Sequence, residues 1–122
     1  MSDYVLRPSV SLPQVYLYRK PIDFRKSYRG LAVIIEQELG HNPFSGQLYV
    51  FINRYRNRLK CLFWENNGFV LYYKALAEEK FRWPGEDQTL LTVSGQQLNW
   101  LLDGYAILQL QGHKKLHYES VS

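Results

Sequence analysis

The sequence lacks long apolar runs, a leader-like start and any pair of cysteines. Its apolar stretches are far shorter than the roughly 20 residues needed to cross a bilayer, so we expect no membrane contact. Residues 1–11 contain no basic region followed by an apolar one, which predicts a cytoplasmic protein without a secretion signal. Cys61 cannot form an internal disulfide, and its place in the apolar run 59–64 predicts a small buried hydrophobe.

Nucleotide-binding and zinc-binding motifs are missing as well. A phosphate-binding loop needs clustered glycines before a helix, together with a lysine, whereas Gly40 and Gly46 stand apart. A zinc site needs close cysteine and histidine pairs, and the nearest pattern, His113 and His117, has no cysteine beside it. We therefore expect no cofactor, no metal ion and no catalytic residues.

Four acidic residues on either side of Phe81 to Pro84 are the remaining candidates for catalysis: Glu78, Glu79, Glu86 and Asp87. Metal-dependent nucleases hold two divalent ions with several carboxylates. Neighbouring residues on one element point in different directions, so these adjacent pairs are more typical of solvated charge than of a metal cage. A nuclease that uses them is the least favoured of three functional hypotheses.

The apolar content is sufficient for one folded domain. The 122 residues include 46% hydrophobic and 16% aromatic side chains, which is enough material for one core. No internal repeat or low-complexity block interrupts the chain. We predict a single domain over residues 1–122, with an ordered core of about 13–110 and flexible ends.

The apolar periodicity predicts an α+β fold. Apolar residues recur every three or four positions over residues 23–39, which predicts a long helix with Asp23 as its N-cap and Gly40 just past its end. Ser94 and Gln97 have the spacing of a capping box and predict a short helix over about 94–103. Five β-rich runs are predicted as strands: 15–18, 47–52, 59–64, 69–74 and 90–93.

These runs predict an antiparallel β-sheet of about five strands. The middle three runs follow one another closely and are expected to form a meander. Asn67 and Gly68 both tolerate positive φ, so they predict a tight hairpin between the third and fourth strands. The two helices, 23–39 and 94–103, are expected to pack beside each other on this sheet.

Positive charge is concentrated in the first half of the chain. Residues 1–60 carry ten Lys and Arg against four acids, a net charge of +6, whereas residues 61–122 carry five against seven, a net charge of −2. The cations fall into two groups, one on the long helix and one around the hairpin loop: Arg25, Lys26 and Arg29, then Arg54, Arg56, Arg58 and Lys60. If the two groups adjoin in space, they form a positive face suited to phosphate oxygens.

Tyr55 lies in the middle of the basic hairpin segment. An exposed tyrosine there could stack on a base or lie against a sugar, so Tyr55 joins the seven cations as a candidate nucleic-acid contact. The alternative interpretation is a solvated loop whose arginines pair with Glu36, Glu38 or Glu65. Composition alone does not favour either interpretation.

An ordered series of motifs runs through most of the chain. It comprises Pro21-Ile22-Asp23-Phe24-Arg25-Lys26, Gly30-Leu31, Leu39 to Gly46, Tyr49-Val50-Phe51, Asn53 to Lys60, Trp64-Glu65, Gly68-Phe69, Phe81-Arg82-Trp83-Pro84 and Ser94 to Gly104. This series resembles the small accessory protein, often called TnpB, that is encoded beside the transposase in insertion sequences of the IS66 type. The resemblance covers roughly residues 13–104, and the tail after Gly104 departs from it.

The resemblance implies a non-catalytic helper that acts with a separate, larger transposase. Such helpers are distinct from the RNA-guided nucleases that share the TnpB name, and the resemblance supplies no catalytic residues. Our leading hypothesis is nonspecific DNA binding through the basic set, which would stabilise the transposase on the element ends. The rival hypothesis is a protein adaptor whose aromatic surface docks the transposase without contacting DNA.

Overall fold

The computed structural model of the protein describes residues 7–85 and 87–107. Within these ranges five strands and two helices follow in chain order: β1 (Val15–Tyr18), α1 (Tyr28–Gln37), β2 (Leu48–Ile52), β3 (Arg58–Glu65), β4 (Gly68–Ala75), β5 (Leu90–Val93) and α2 (Gly95–Leu102). The α+β class and the five predicted strands are confirmed. Neither of these helices is long and apolar enough to cross a membrane. The predicted flexible tail, with its His113 and His117 pair, lies outside the described residues.

The strands form one sheet in the order β4-β3-β2-β1-β5. Strands β2, β3 and β4 form the predicted antiparallel meander, and β5 runs antiparallel to β1. The sheet is mixed rather than wholly antiparallel, because β1 and β2 run parallel. Helix α1 lies in the connection between these two strands, and a connection of that length lets the chain return and run in the same direction.

The two helices pack on opposite faces of the sheet, which corrects the expectation that they lie beside each other. Side chains alternate along β2, so its two faces carry different residues: Leu48, Val50 and Ile52 on one, Tyr49 and Phe51 on the other. Helix α2 covers the first face and α1 covers the second. Cys61 lies in the core on the α2 side, fully buried as predicted, and burial raises the pKa of its thiol.

Helix α1 is shorter than predicted. It begins at Tyr28 rather than near Asp23, because Ser27 is the N-cap and its side chain accepts a hydrogen bond from the Arg29 N–H at 3.3 Å. Residues 23–26 form a turn instead, in which the Asp23 carboxylate accepts a hydrogen bond from the backbone N–H of Arg25 at 2.9 Å. The cations at positions 25 and 26 therefore lie on this turn and not on the helix.

The structure contains both features that local sequence signals predict, the capping box of α2 and the hairpin between β3 and β4. The capping box is confirmed, since Ser94 Oγ accepts from the Gln97 N–H at 3.1 Å and Gln97 Oε1 accepts from the Ser94 N–H at 2.9 Å. The predicted hairpin between β3 and β4 is also confirmed, but its two loop residues are Asn66 and Asn67. Positive φ occurs at Asn66, with a value of 53°, while Gly68 is the first residue of β4.

Candidate nucleic-acid interface

The segment 53–58 leads from β2 into β3, and we call it the basic loop. It is built around the buried side chain of Asn53. Its Oδ1 accepts hydrogen bonds from the backbone N–H groups of Asn57 and Arg58, both at 3.0 Å. Its Nδ2 donates to Asn57 Oδ1 at 2.7 Å, and its backbone carbonyl accepts from the Arg56 N–H at 3.1 Å. Arg56 has a positive φ of 61°, which this tight turn requires although residues other than glycine adopt it at a cost. Internal hydrogen bonds thus fix the shape of the loop.

A groove of about 780 Å³ is formed between this loop and the turn before α1. Backbone contacts join the two segments, because the Ile22 N–H donates to the Ile52 carbonyl at 3.0 Å and Ile22 forms a parallel bridge with Asn53. The groove lining combines apolar, amide and cationic side chains: Pro21, Ile22, Asp23, Phe24, Arg25, Asn53, Arg54, Tyr55, Asn57 and Arg58. The turn and the hairpin loop, far apart in sequence, therefore adjoin in space.

Three arginines line the groove. Arg25 pairs with Asp23 at 2.6 Å, although its side chain is 91% exposed. The Arg25 guanidinium, chiefly through its side-chain hydrogen bonds, lowers the pKa of Asp23 to about 2. Arg54 and Arg58 are exposed, and neither forms an ion pair with another described residue. Because exposed ion pairs contribute at most about 1 kcal/mol, a phosphate group can compete with Asp23 for Arg25.

Tyr55 lies at the tip of the loop between two arginines, and 68% of its surface is exposed. Its ring contacts no other aromatic ring among the described residues. The neighbouring Arg56 is half-buried and does not line the groove. An aromatic ring held in solvent beside cations is able to stack on a base or lie against a sugar.

The other predicted cations lie away from the groove. Lys60 is only 9% exposed, and its Nζ donates to the carbonyls of Phe24 and Lys26 at 3.0 and 3.1 Å. The same Nζ lies 4.7 Å from the centroid of the Phe24 ring, and burial lowers the pKa of Lys60. Lys60 therefore anchors the turn to the sheet and is not accessible to a ligand. Arg29 and Lys26 are exposed, but neither lines the groove.

Exposed acidic residues lie in another segment that packs against the basic loop. The segment 76–81 packs against the loop through two backbone hydrogen bonds, and Glu78 and Glu79 are exposed within it. Asp87 is exposed further along the chain, while Glu86 lies outside the described residues. No cluster of three potential metal ligands occurs among residues 7–85 and 87–107. The carboxylates of the nuclease hypothesis are thus not assembled into a metal site in the part of the chain that can be described.

A second exposed surface lies along strand β4. We call it the aromatic edge. Four of its members are exposed, namely Tyr28, Phe44, Leu71 and Tyr73, and two are half-buried, namely Trp64 and Phe69. The rings of Phe44, Trp64 and Phe69 contact one another with centroids 5.0 to 5.5 Å apart. Phe44 is 56% exposed and Tyr73 is 48% exposed. Strand β4 pairs only with β3, so its outer backbone groups meet no other strand of the described residues.

Asn53, Asn57 and Ile22 are not among the predicted site residues, although they shape the groove. Two asparagines four positions apart in a hairpin loop are a usable signal, because asparagine side chains often bond to nearby backbone groups in turns. No local signal identifies Ile22, since its position depends on pairing with the end of β2. Of the eight predicted contacts, the structure brings four together in the groove lining: Arg25, Arg54, Tyr55 and Arg58.

Comparison with known proteins gives one family match. The family model described as "IS66 Orf2 like protein" matches residues 13–112. The uncharacterized protein y4jC of Sinorhizobium fredii is 29% identical over 100 residues, which cover 82% of this chain and 85% of the relative. The uncharacterized protein y4hO of the same organism is 31% identical over 97 residues, which cover 80% of this chain and 84% of the relative. No solved structure matches the chain significantly.

Proposed function

The chain belongs to the IS66 Orf2-like family of insertion-sequence proteins, and we propose that it is a non-catalytic accessory protein. It binds DNA in the groove beside the basic loop. In this proposal a separate transposase of the same element performs the chemistry, and the accessory protein stabilises it on the element ends. The DNA contact is nonspecific, because phosphate contacts carry no sequence information.

The observation that carries the proposal is the composition of the groove. Arg25 from one segment and Arg54 and Arg58 from another line a single groove, with the exposed ring of Tyr55 beside them. Guanidinium groups match phosphate oxygens through paired hydrogen bonds, and these three are not buried in the core. Asp23 is the one acid among the lining residues, and its carboxylate is bonded to Arg25.

The number of arginines sets the expected salt dependence. Each neutralised phosphate of a duplex contributes a slope of about −0.9 to the plot of log affinity against log salt concentration. Three contacts therefore give a slope of about −2.7, so raising the salt fourfold weakens binding roughly 40-fold. Removal of two arginines leaves a slope of about −0.9.

Fluorescence anisotropy with a labelled duplex tests this proposal. The test variant is Arg54→Ala/Arg58→Ala, and the matched control is Lys80→Ala/Arg82→Ala, which removes the same charge from exposed residues that do not line the groove. We expect the test variant to bind more weakly with a smaller salt slope, and the control to bind almost like the unmodified chain. Equal weakening of both would show that net charge alone drives binding. The proposal would be refuted if neither the duplex nor a single strand of the same length binds at micromolar protein.

A second candidate function is a protein adaptor that docks the transposase without contacting DNA. The aromatic edge favours it, because exposed aromatic side chains beside an unpaired edge strand are typical of surfaces that accept another polypeptide. Strand β4 contains no proline, and its one charged residue, Lys74, donates to the Leu102 carbonyl at 2.9 Å. The strand therefore lacks the exposed charges that commonly protect sheet edges.

Co-purification with the transposase of the same element separates the two candidates. Leu71→Lys places a charge in the middle of β4 at a residue that is 40% exposed, so it disturbs docking more than folding. If the adaptor function holds, Leu71→Lys abolishes co-purification while Arg54→Ala/Arg58→Ala preserves it. The reverse pattern would place the transposase contact on DNA or on the basic loop.

A further inference from the structure

We propose that the groove accepts single-stranded DNA in preference to duplex DNA, with one unpaired base stacked on Tyr55 and the adjoining phosphates on Arg25, Arg54 and Arg58. This inference rests on the proposed DNA-binding function and specifies the form of DNA that the same site takes. Three features of the groove carry it: the surroundings of the loop, the size of the groove and the exposure of Tyr55.

The loop cannot enter the major groove of a duplex as a free β-ribbon. A two-stranded ribbon can occupy a major groove about 12 Å wide only if its tip projects from the protein. Here only Arg54 and Tyr55 project, because the base of the loop is held on one side by the Ile22 and Asn53 bridge. On the other side the Leu76 N–H donates to the Asn57 carbonyl at 2.8 Å, and the Phe81 N–H donates to the Arg56 carbonyl at 2.7 Å. A duplex would therefore touch only the rim.

The groove itself has the dimensions of a small-ligand site. Its volume of about 780 Å³ lies within the range of roughly 300 to 1,000 Å³ that is usual for pockets that enclose small molecules. Ile22 and Phe24 contribute apolar surface, whereas the arginines contribute charge. An unpaired nucleotide presents both an apolar base face and a phosphate, which matches the apolar and charged surfaces of the groove. A base paired inside a duplex cannot present its face.

Tyr55 supplies the stacking surface. Its side chain is exposed, and it lies between Arg54 and Arg56 at the tip of the loop. Proteins that bind single strands combine a positive groove with aromatic rings on which bases stack. The Asn53 carboxamide is buried, with its oxygen bonded to two backbone N–H groups and its nitrogen to Asn57 Oδ1, so it offers little to a base edge. Stacking should therefore dominate, and base preference should be weak.

The test is a competition between DNA forms on the full chain. Anisotropy is measured with a labelled oligothymidine 20-mer and with a labelled duplex of the same length, at one salt concentration. The variants are Tyr55→Ala, Tyr55→Phe and Tyr105→Ala, which removes a tyrosine of similar exposure that does not line the groove. Thermal melting confirms that each variant is folded.

We expect tighter binding of the single strand, and a loss of about 5- to 150-fold for that strand in Tyr55→Ala, which is the range for removing one stacked base. Tyr55→Phe should keep most of the affinity because it keeps the ring, and Tyr105→Ala should match the unmodified chain. Equal or tighter binding of the duplex, or a Tyr55→Ala effect below twofold, would overturn this inference and leave the DNA-binding function standing. Failure to bind either form would overturn both.

Discussion

The substitution Asn53→Ala tests whether one buried carboxamide holds the basic loop in shape. Asn53 is 9% exposed, and its side chain makes three hydrogen bonds within the loop. Each such bond contributes about 1 kcal/mol net, so the loss of three lowers the free energy of unfolding by about 2 to 3 kcal/mol, allowing for partial access of water. For a domain of this size that corresponds to a fall in Tm of roughly 6 to 12 °C.

Chemical denaturation followed by circular dichroism measures the Asn53→Ala effect. Asn53→Asp is the matched variant, because it keeps an oxygen that accepts from the N–H groups of Asn57 and Arg58, while the Asn57 amide can turn its nitrogen toward the new carboxylate. We expect Asn53→Asp to recover at least half of the lost free energy. A free energy of unfolding for Asn53→Ala within about 0.5 kcal/mol of the unmodified chain would refute the account of the loop.

Three further outcomes follow from individual residues. Arg56→Gly should leave the free energy of unfolding within about 1 kcal/mol of its original value, whereas Arg56→Val should lower it by about 1 to 2 kcal/mol, because a β-branched residue tolerates positive φ poorly. NMR titration should find the Asp23 pKa near 2, and a return of this pKa toward 3.8 in Arg25→Ala. Because the pKa of Asp23 is lower in the folded state, any stability from this pair is present above pH 3.8 and is lost as the pH falls toward 2. Cys61 should resist thiol reagents in the native state and react on unfolding, since it is fully buried.

Elements whose signals are local were predictable from the sequence. Strands β1 and β5 occur at the predicted residues, and α2 begins at the predicted capping box. The start of α1 was not predictable from periodicity, because Phe24 fits the helical spacing but packs on the sheet from the preceding turn. In the structure Ser27, and not Asp23, is the residue that caps the helix.

Features that depend on tertiary structure could not be predicted in the same way. A β-rich run carries no information about strand direction, so the parallel pairing of β1 and β2 emerges only in the sheet. Lys60 looks like any cation in a basic hairpin, yet in β3 its side chain reaches the turn before α1, where two carbonyls and the Phe24 ring surround it. Whether Arg25 adjoins Arg58 likewise depends on the contact between the turn and the loop.

The most direct test of the central claim is an NMR titration of the ¹⁵N-labelled chain with unlabelled DNA. The account predicts that amide shifts concentrate at residues 21–25 and 53–58, the two segments that line the groove. Shifts that concentrate on the aromatic edge along β4, or no shifts at all at micromolar to millimolar DNA, would contradict it.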